Sequence, residues 1–460
     1  MRHPLLSMTR SFSLPIFLVV LMPSLVVSFS PLGAQDWPQF RGPNASGLSK
    51  GKATVTSWNV ETGENVLFRT KIPGLAHSCP LVMGDRVYLT TAVAAGKPEL
   101  KLGLYGSIDS VPKEGKQEWR LIALGRKSGA IIFDRLAHSA VPRSQRHPKA
   151  TQCNSTPASD GQHIVAFFGS EGVFCFNMEG KLLWKKDLGK MNAGYFKKQS
   201  AQWGFASSPV IHEGKVVVQC DVQEDSFLGV IDLKTGQWDW KKDRADVPTW
   251  CTPTIAKVGG RAQILVNGWK HTGAYDFETG EEIWKLKGGG DIPVPTPIVG
   301  KTMAYFTSAH GMFRPMRAVN LYATGDITPE EVKDTNEHIP WVRHRSGNYM
   351  QTPILIGDRL FGCSDRGALT CFDAKTGEIY FSKRLPGNGF TASLVSDGNH
   401  LYVTSEFGEV WVVTNAKTYE EVGRFELGDN CMATPALSDG VIYFRTQGSL
   451  LALATKEVGE

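Results

Sequence analysis

The chain has 460 residues, 42% of them hydrophobic and 21% charged, with a formal charge of +5. That is enough apolar material for a large core. The charge is weak, and no basic block or aromatic-basic motif occurs, so nucleic acid is excluded as a partner.

In chain order, Arg2, His3 and Arg10 give a basic start, residues 14–29 form an apolar run interrupted by Pro15 and Pro23, and Leu32-Gly33-Ala34 supplies small residues for cleavage. This is the pattern of a secretory leader. It predicts a signal peptide over 1–34, a mature start near Gln35 and export to the periplasm or beyond. The apolar run is short and broken against the roughly 20 residues of a membrane span. No Cys follows the cleavage site, so a lipid anchor is not expected, and no later segment is apolar enough to span a membrane.

Residues 35–63 read as an extended segment, and residues 64–460 as one repeat domain. The repeat is Thr/Ser-Pro, an apolar run, a Gly/Asp turn, a second run, then Asp-x-x-Thr-Gly and an aromatic. Its anchors are Pro80, Pro157, Pro209, Pro253, Pro297, Pro353, Ser393 in the place of Pro, and Pro435. The steps between them are 77, 52, 44, 44, 56, 40 and 42 residues. The shortest match one propeller blade of about 40–45 residues. Eight anchors therefore predict an all-β fold, an eight-bladed β-propeller of four-stranded antiparallel blades. In the sixth unit the strands are expected at 351–356, 359–363, 368–373 and 378–383, with Gly357-Asp358 and Thr376-Gly377 as the tight turns. The eighth unit stops after two runs beyond its anchor strand, at 441–446 and 450–454, so the orphan strand at 65–69 is expected to complete the last blade and close the ring.

Eight cysteines in an exported chain raise the question of disulfides. Cys175 and Cys371 share one strand slot in distant blades and read as small buried hydrophobes. Cys153 and Cys431 share another slot. Cys79 lies in the blade between them, which leaves room for a disulfide with either one.

The phrase Ala274-Tyr275-Asp276-Phe277-Glu278-Thr279-Gly280-Glu281-Glu282-Ile283-Trp284 resembles the tryptophan-docking repeat of the PQQ-like propeller family, which holds quinoprotein alcohol dehydrogenases and BamB-like assembly factors. The opening Asp36-Trp37-Pro38-Gln39-Phe40-Arg41-Gly42-Pro43 and the closing Cys431-Met432-Ala433-Thr434-Pro435-Ala436 are similar to exported bacterial members of unassigned role. The resemblance covers roughly 36–455 and implies the eight-bladed fold. It assigns Trp184, Trp240, Trp284 and Trp341, with Phe68, Phe381 and Phe425 in substitution, as aromatics docking on the neighbouring blade. For the quinoproteins it implies PQQ between a tryptophan face and an adjacent-cysteine disulfide, with Ca²⁺ held by Glu and Asn and an Asp as base. This chain has no adjacent cysteines and no haem motif. Trp203 or Trp250 offers a stacking face, but no matching partner stands out. No cofactor and no metal is expected. Asp334 to His338 reads as a solvated loop, because it lacks the turn glycine of a calcium loop.

What remains is surface. Residues 95–118, 187–202 and 308–316 are expected to elaborate one face of the disc, and 323–340 the other. Long loops on a rigid scaffold are common binding elements. The candidates at the channel mouth are His77, Gln152, Gln202, Trp203, Trp250, Tyr349 and Asn430. On the loop face they are His310, Phe313 and Arg314. The reading is a non-catalytic exported scaffold that binds a cell-envelope protein. The alternatives are a PQQ-dependent or other cofactor-bearing oxidoreductase, and a module for a carbohydrate or small molecule.

Overall fold

The computed structural model describes Met1, His3 and residues 35–96, 98–103, 109–331, 334–387 and 389–455. The expected apolar leader and cleavage site lie outside the described residues. The described residues from 35 onward form one compact unit.

Eight antiparallel sheets follow one another along the chain. Each has an inner strand A, here Leu81–Met83, Ala158–Ser159, Val210–His212, Thr254–Val258, Ile298–Val299, Ile354–Ile356, Val395–Ser396 and Ala436–Ser438, and three strands stepping outward. In blade six strands B and C are Arg359–Cys363 and Ala368–Asp373, and strand D is Ile379–Arg384. Blade eight is completed by Val66–Lys71, which pairs antiparallel with Ser449–Leu453 on its outer side. The ring is closed by a strand from the other end of the chain.

The repeat phrase has a physical reading at both ends. At the inner end, six hydroxyls of the anchor slot accept a backbone N–H from the blade before them, while Thr296 Oγ1 has no partner among the described residues. Cys79 donates to Thr156 Oγ1 at 3.0 Å, Thr156 to Ser208 Oγ at 2.9 Å, and Ser208 to Thr252 Oγ1 at 3.0 Å. Thr296 donates to Thr352 at 3.1 Å, Thr352 to Ser393 at 3.0 Å, and Ser393 to Thr434 at 2.9 Å. This belt satisfies buried backbone groups that the short inner strands leave over. It also corrects one alignment: Ser393 occupies the hydroxyl slot, and Leu394 stands where the other blades carry Pro.

At the outer end, the Asp of Asp-x-x-Thr-Gly holds the turn. Asp373 Oδ1 accepts the N–H groups of Lys375 and Thr376 at 2.9 and 2.8 Å. The glycine is required twice over. Gly377 has φ +71°, and a Cβ there would lie 2.6 Å from the Trp341 ring of the preceding blade. Trp184 covers Gly236, Trp240 covers Gly280 and Phe68 covers Gly129 in the same way. The indoles of Trp184, Trp240 and Trp341 donate to the carbonyls of Leu233, Phe277 and Ala374. Phe133, which the sequence reading passed over, covers Gly180. It stands four residues after Gly129, as Trp284 stands after Gly280, and that spacing could have found it.

Trp284 is different. It is buried, and its Nε1 has no partner among the described residues. The insertion of blade five replaces the turn it would meet. That insertion does not simply project from the far face: Gly325–Asp326 adds a short parallel strand to the outer edge of blade four, beside Glu282–Leu286.

Residues 35–55 cross the end of the channel where the A strands finish. Trp37 bridges Val82 in blade one, Ser159 of blade two donates to Pro38 O, and Leu48 bridges Ser396 of blade seven. Between them Arg41 is fully buried and donates to five carbonyls: Ala45, Ser46, Thr352, Pro353 and Leu394, at 2.8–3.3 Å. Gly42 and Gly47 have φ +68° and +74°, and side chains there would strike the Trp37 ring and the Arg41 guanidinium. The segment is a stopper, and Arg41 is its bolt.

All eight cysteines are buried free thiols. Cys79 forms no disulfide with Cys153 or Cys431. It takes a hydroxyl slot in the belt and is hydrogen-bonded by Thr434.

Candidate functional site

The other end of the channel lies where the A strands begin and the D–A and B–C loops emerge. The structure divides the seven residues expected there into two groups.

Trp203, Trp250 and Tyr349 converge with buried Ala193 and Ile292 in one apolar cluster. Trp203 stacks on Trp250 at 5.8 Å between centroids and on Tyr195 at 6.0 Å. Trp250 Nε1 donates to Gly204 O at 2.7 Å, which fixes its ring. Tyr349 lies 5.8 Å from the ring of His310, whose Nδ1 is 3.5 Å from Asp291 Oδ2. Phe313 meets His344 edge-on and lies under the Arg317 guanidinium, while the Arg314 side chain is exposed. The loop-face candidates therefore sit in blade five beside this aromatic row.

His77, Gln152 and Gln202 belong to a polar network on the blade-one and blade-two side, and Asn430 sits beside it in blade eight. Gln152 Nε2 donates to Glu114 Oε2 at 2.8 Å, and Glu114 also holds Arg146 at 2.8 Å. Gln202 Oε1 accepts the N–H of Gln145 at 2.9 Å. Asn430 Nδ2 donates to Gln447 Oε1 at 3.0 Å. His77 Nε2 lies 2.7 Å from Lys149 O. Burial, helped by the charges of Arg146 and Lys149, pushes His77 down to about 4.

That shift has a consequence. Between pH 6.5 and about 4 the unfolded chain binds a proton at this position and the folded chain does not, so stability falls as pH falls through that window. The expected loss is about 2–3 kcal/mol. Urea unfolding at pH 7 and pH 4.5 checks it, and His77→Leu should remove that share of the difference.

Sequence reasoning missed the strongest pair at the mouth. Glu406 is fully buried and accepts from Lys149 Nζ, Thr391 Oγ1 and the N–H of Gly103, each at 2.6 Å. Lys149 Nζ also donates to Gly103 O at 2.8 Å. The pair ties the insertion of blade one to the loop of blade seven. Its one sequence signal is a charged residue between two apolar runs in Ser405-Glu406-Phe407-Gly408.

These contacts decide the fit of a quinone and calcium. The tryptophans stack on each other and on Tyr195, and no cysteine pair faces them. The buried carboxylates are engaged: Glu406 by Lys149, Glu114 by Arg146, Asp221 by Arg244. Among the described residues no three His, Cys, Asp or Glu side chains converge as a metal set. The side chains present do not fit PQQ with Ca²⁺.

Among the described residues no helix is long and apolar enough to cross a membrane. The family whose profile matches is described as outer membrane protein assembly factor BamB, over residues 44–194 and 105–383. No curated protein matches the sequence. BamB from Moraxella catarrhalis is similar in structure at 14% identity and TM-score 0.52, covering 81% of this chain and 99% of that one. A europium-containing methanol dehydrogenase is similar at 11% identity and TM-score 0.62, with 90% of each chain covered. The quinohemoprotein alcohol dehydrogenase from Comamonas testosteroni is similar at 11% and 0.59, covering 92% of this chain and 81% of that one. At these identities the likeness to the solved structures is one of fold.

Proposed function

The chain belongs to the family described as outer membrane protein assembly factor BamB, and from that membership we propose that it is a non-catalytic, exported scaffold that binds a protein partner in the cell envelope. The observation that carries this reading is the outer edge of blade one. Its strand D, Ile131–Ala140, is the longest in the ring, with 10 residues. Its ladder groups on one side face away from the sheet. Ile131, Ile132 and Leu136 are about half exposed on it, and Val141 follows at 58%. Leu182 and Leu183 of the neighbouring blade are also exposed, and the turn before them lies against Phe133 and Arg135.

Scattered exposed hydrophobes need no explanation. A row of them along an unpaired strand edge is a template for another chain. On blades six, seven and eight one outer-strand hydrophobe each is exposed, Ile379, Val422 and Leu67, and three edges are covered or charged. Blade four is covered by Gly325–Asp326, blade three ends in Lys241, Lys242 and Asp243, and blade seven carries Glu421, Arg424 and Glu426. The channel mouth, by contrast, is occupied by the chain's own contacts. A photoreactive amino acid at position 136 of the full-length chain tests the reading. It is expected to crosslink an envelope protein in cells, and Leu136→Lys is expected to lose that partner on purification.

A further inference from the structure

The insertion of blade five shows how an outer edge of this ring takes an added strand. Gly325 pairs with Trp284 and Asp326 with Lys285, parallel to Glu282–Leu286. Asp326 Oδ2 lies 3.2 Å from Lys287 Nζ and 3.9 Å from Lys285 Nζ. Ile327 donates its N–H to Lys285 O at 2.9 Å. The side chains of Ala323 and Ile327 are buried in the same core as Trp284 and Leu286. An acid flanked by apolar residues thus covers an edge that carries lysines.

Blade two presents the same edge uncovered. Its strand D, Leu182–Lys186, is the last of its sheet, and the repeat places Trp184 and Lys185 where blade four has Trp284 and Lys285. Position by position, the difference is the cover. Ile283 and Lys285 are half-buried and Trp284 and Leu286 buried, whereas Leu183 and Lys185 are exposed and Trp184 and Lys186 half-buried. Lys185 enters no ion pair among the described residues, and Asp187, two residues on, is held by Arg143 at 2.9 Å.

The other uncovered edges lack this combination of a free cation and a hydrophobe. At the position of Lys185, blade one has Asp134, held by Arg120 at 2.8 Å, and blades five, six and seven have Val342, Ser382 and Glu426. Blade three has Lys241, which sits 4.2 Å over the Phe227 ring, but Asp239 stands at the position of Leu183. Blade eight has Arg69, which donates to Leu427 O.

We propose that the outer edge of blade two is a docking strip for an acidic extended segment of a partner protein, a site that rests on the scaffold reading above and gives its partner a chemistry. The segment adds parallel to Leu182–Lys186 as Gly325–Asp326 adds to blade four. A small residue stands opposite Trp184, an Asp or Glu opposite Lys185, and apolar residues ahead of them cover Leu182 and Leu183. Main-chain hydrogen bonds hold such an added strand, and the facing side chains select it. Opposite charges across the pair favour it and like charges oppose it.

The probe is a labelled peptide of the chain's own covering segment, residues 322–329, offered to the purified full-length protein with a photoreactive amino acid at position 183. Capture is expected there and not from position 242 on blade three. Lys185→Glu should cut it roughly fivefold, the worth of one exposed charge contact. A peptide carrying Asp326→Lys should lose capture by the normal protein and regain it with Lys185→Glu. No capture, capture indifferent to the sign of either charge, or no rescue by the double exchange would overturn the assignment. An envelope adduct from 183 in cells that ignores Lys185→Glu would also overturn it and leave the scaffold reading standing. Charge-matched peptide capture with no envelope adduct in cells would do the reverse.

Discussion

Replacing Arg41 by alanine is expected to lower the unfolding free energy by about 3–5 kcal/mol, from the buried carbonyls it leaves unpaired and the large cavity it opens. The reason is not the lost charge alone. The guanidinium reaches the carbonyls of Thr352 and Pro353 in blade six and Leu394 in blade seven, and it also ties its own segment through Ala45 and Ser46. Each carbonyl left unpaired in a dry site adds its own cost. The cavity left by a large side chain with no exposed surface adds more. Arg41→Lys keeps a positive charge but cannot span the five acceptors, so it should recover less than half of the loss. Burial pulls the guanidinium down to about 9, still protonated at pH 7, so the comparison is made there. Guanidinium chloride unfolding of the chain from residue 35 onward reads the effect. A loss below 1 kcal/mol would mean that the stopper does not bolt the ring.

Arg244→Met is expected to cost a similar amount, about 3–5 kcal/mol at pH 7. Arg244, Asp221 and Asp246 have no exposed side-chain surface. Arg244 Nε and Nη2 hold Asp221 at 2.7 and 3.3 Å, and the same guanidinium reaches Tyr275 Oη and His271 O in blade four. Removing it leaves two buried carboxylates facing each other across one joint. Burial and the neighbouring Asp221 charge already push Asp246 up to about 6. The sign follows from linkage. An acid whose folded pKa lies above its unfolded value favours the folded state at low pH, and that contribution is lost as pH rises through the folded pKa. In Arg244→Met the window should extend upward, so the variant should be more stable near pH 5 than near pH 8. Asp221→Asn combined with Arg244→Met should recover part of the loss, because one of the two charges is gone.

Much of the fold was legible because its signals are local. The Asp-x-x-Thr-Gly turn is written in five consecutive residues, and its glycine answers to a positive φ and a ring four residues from the preceding blade's own turn. The closing strand at 66–71 was legible for the same reason, as a strand whose aromatic, Phe68, had no blade of its own. What escaped notice is non-local. The Lys149–Glu406 pair joins positions 257 residues apart, and nothing at either position announces the other. The strand at Gly325–Asp326 has only two residues, too few to show a period, and is held by its ladder and by the Asp326–Lys287 pair at 3.2 Å. The motif from Trp37 to Pro43 stood out as a phrase, yet its work depends on carbonyls more than 300 residues away. The seven channel-mouth candidates do not form one group. That they separate into an aromatic row and a polar network depends on rotamers and burial, which no spacing encodes.

The measurement that tests the central claim most directly is site-specific photocrosslinking of the full-length chain in cells at three positions: 136 on the edge of blade one, 183 on blade two and 242 on the charged edge of blade three. The account predicts the same envelope protein captured from 136 and 183, and no adduct from 242. No adduct from 136 and 183, or equal capture from all three, would contradict it and return the search for function to the channel.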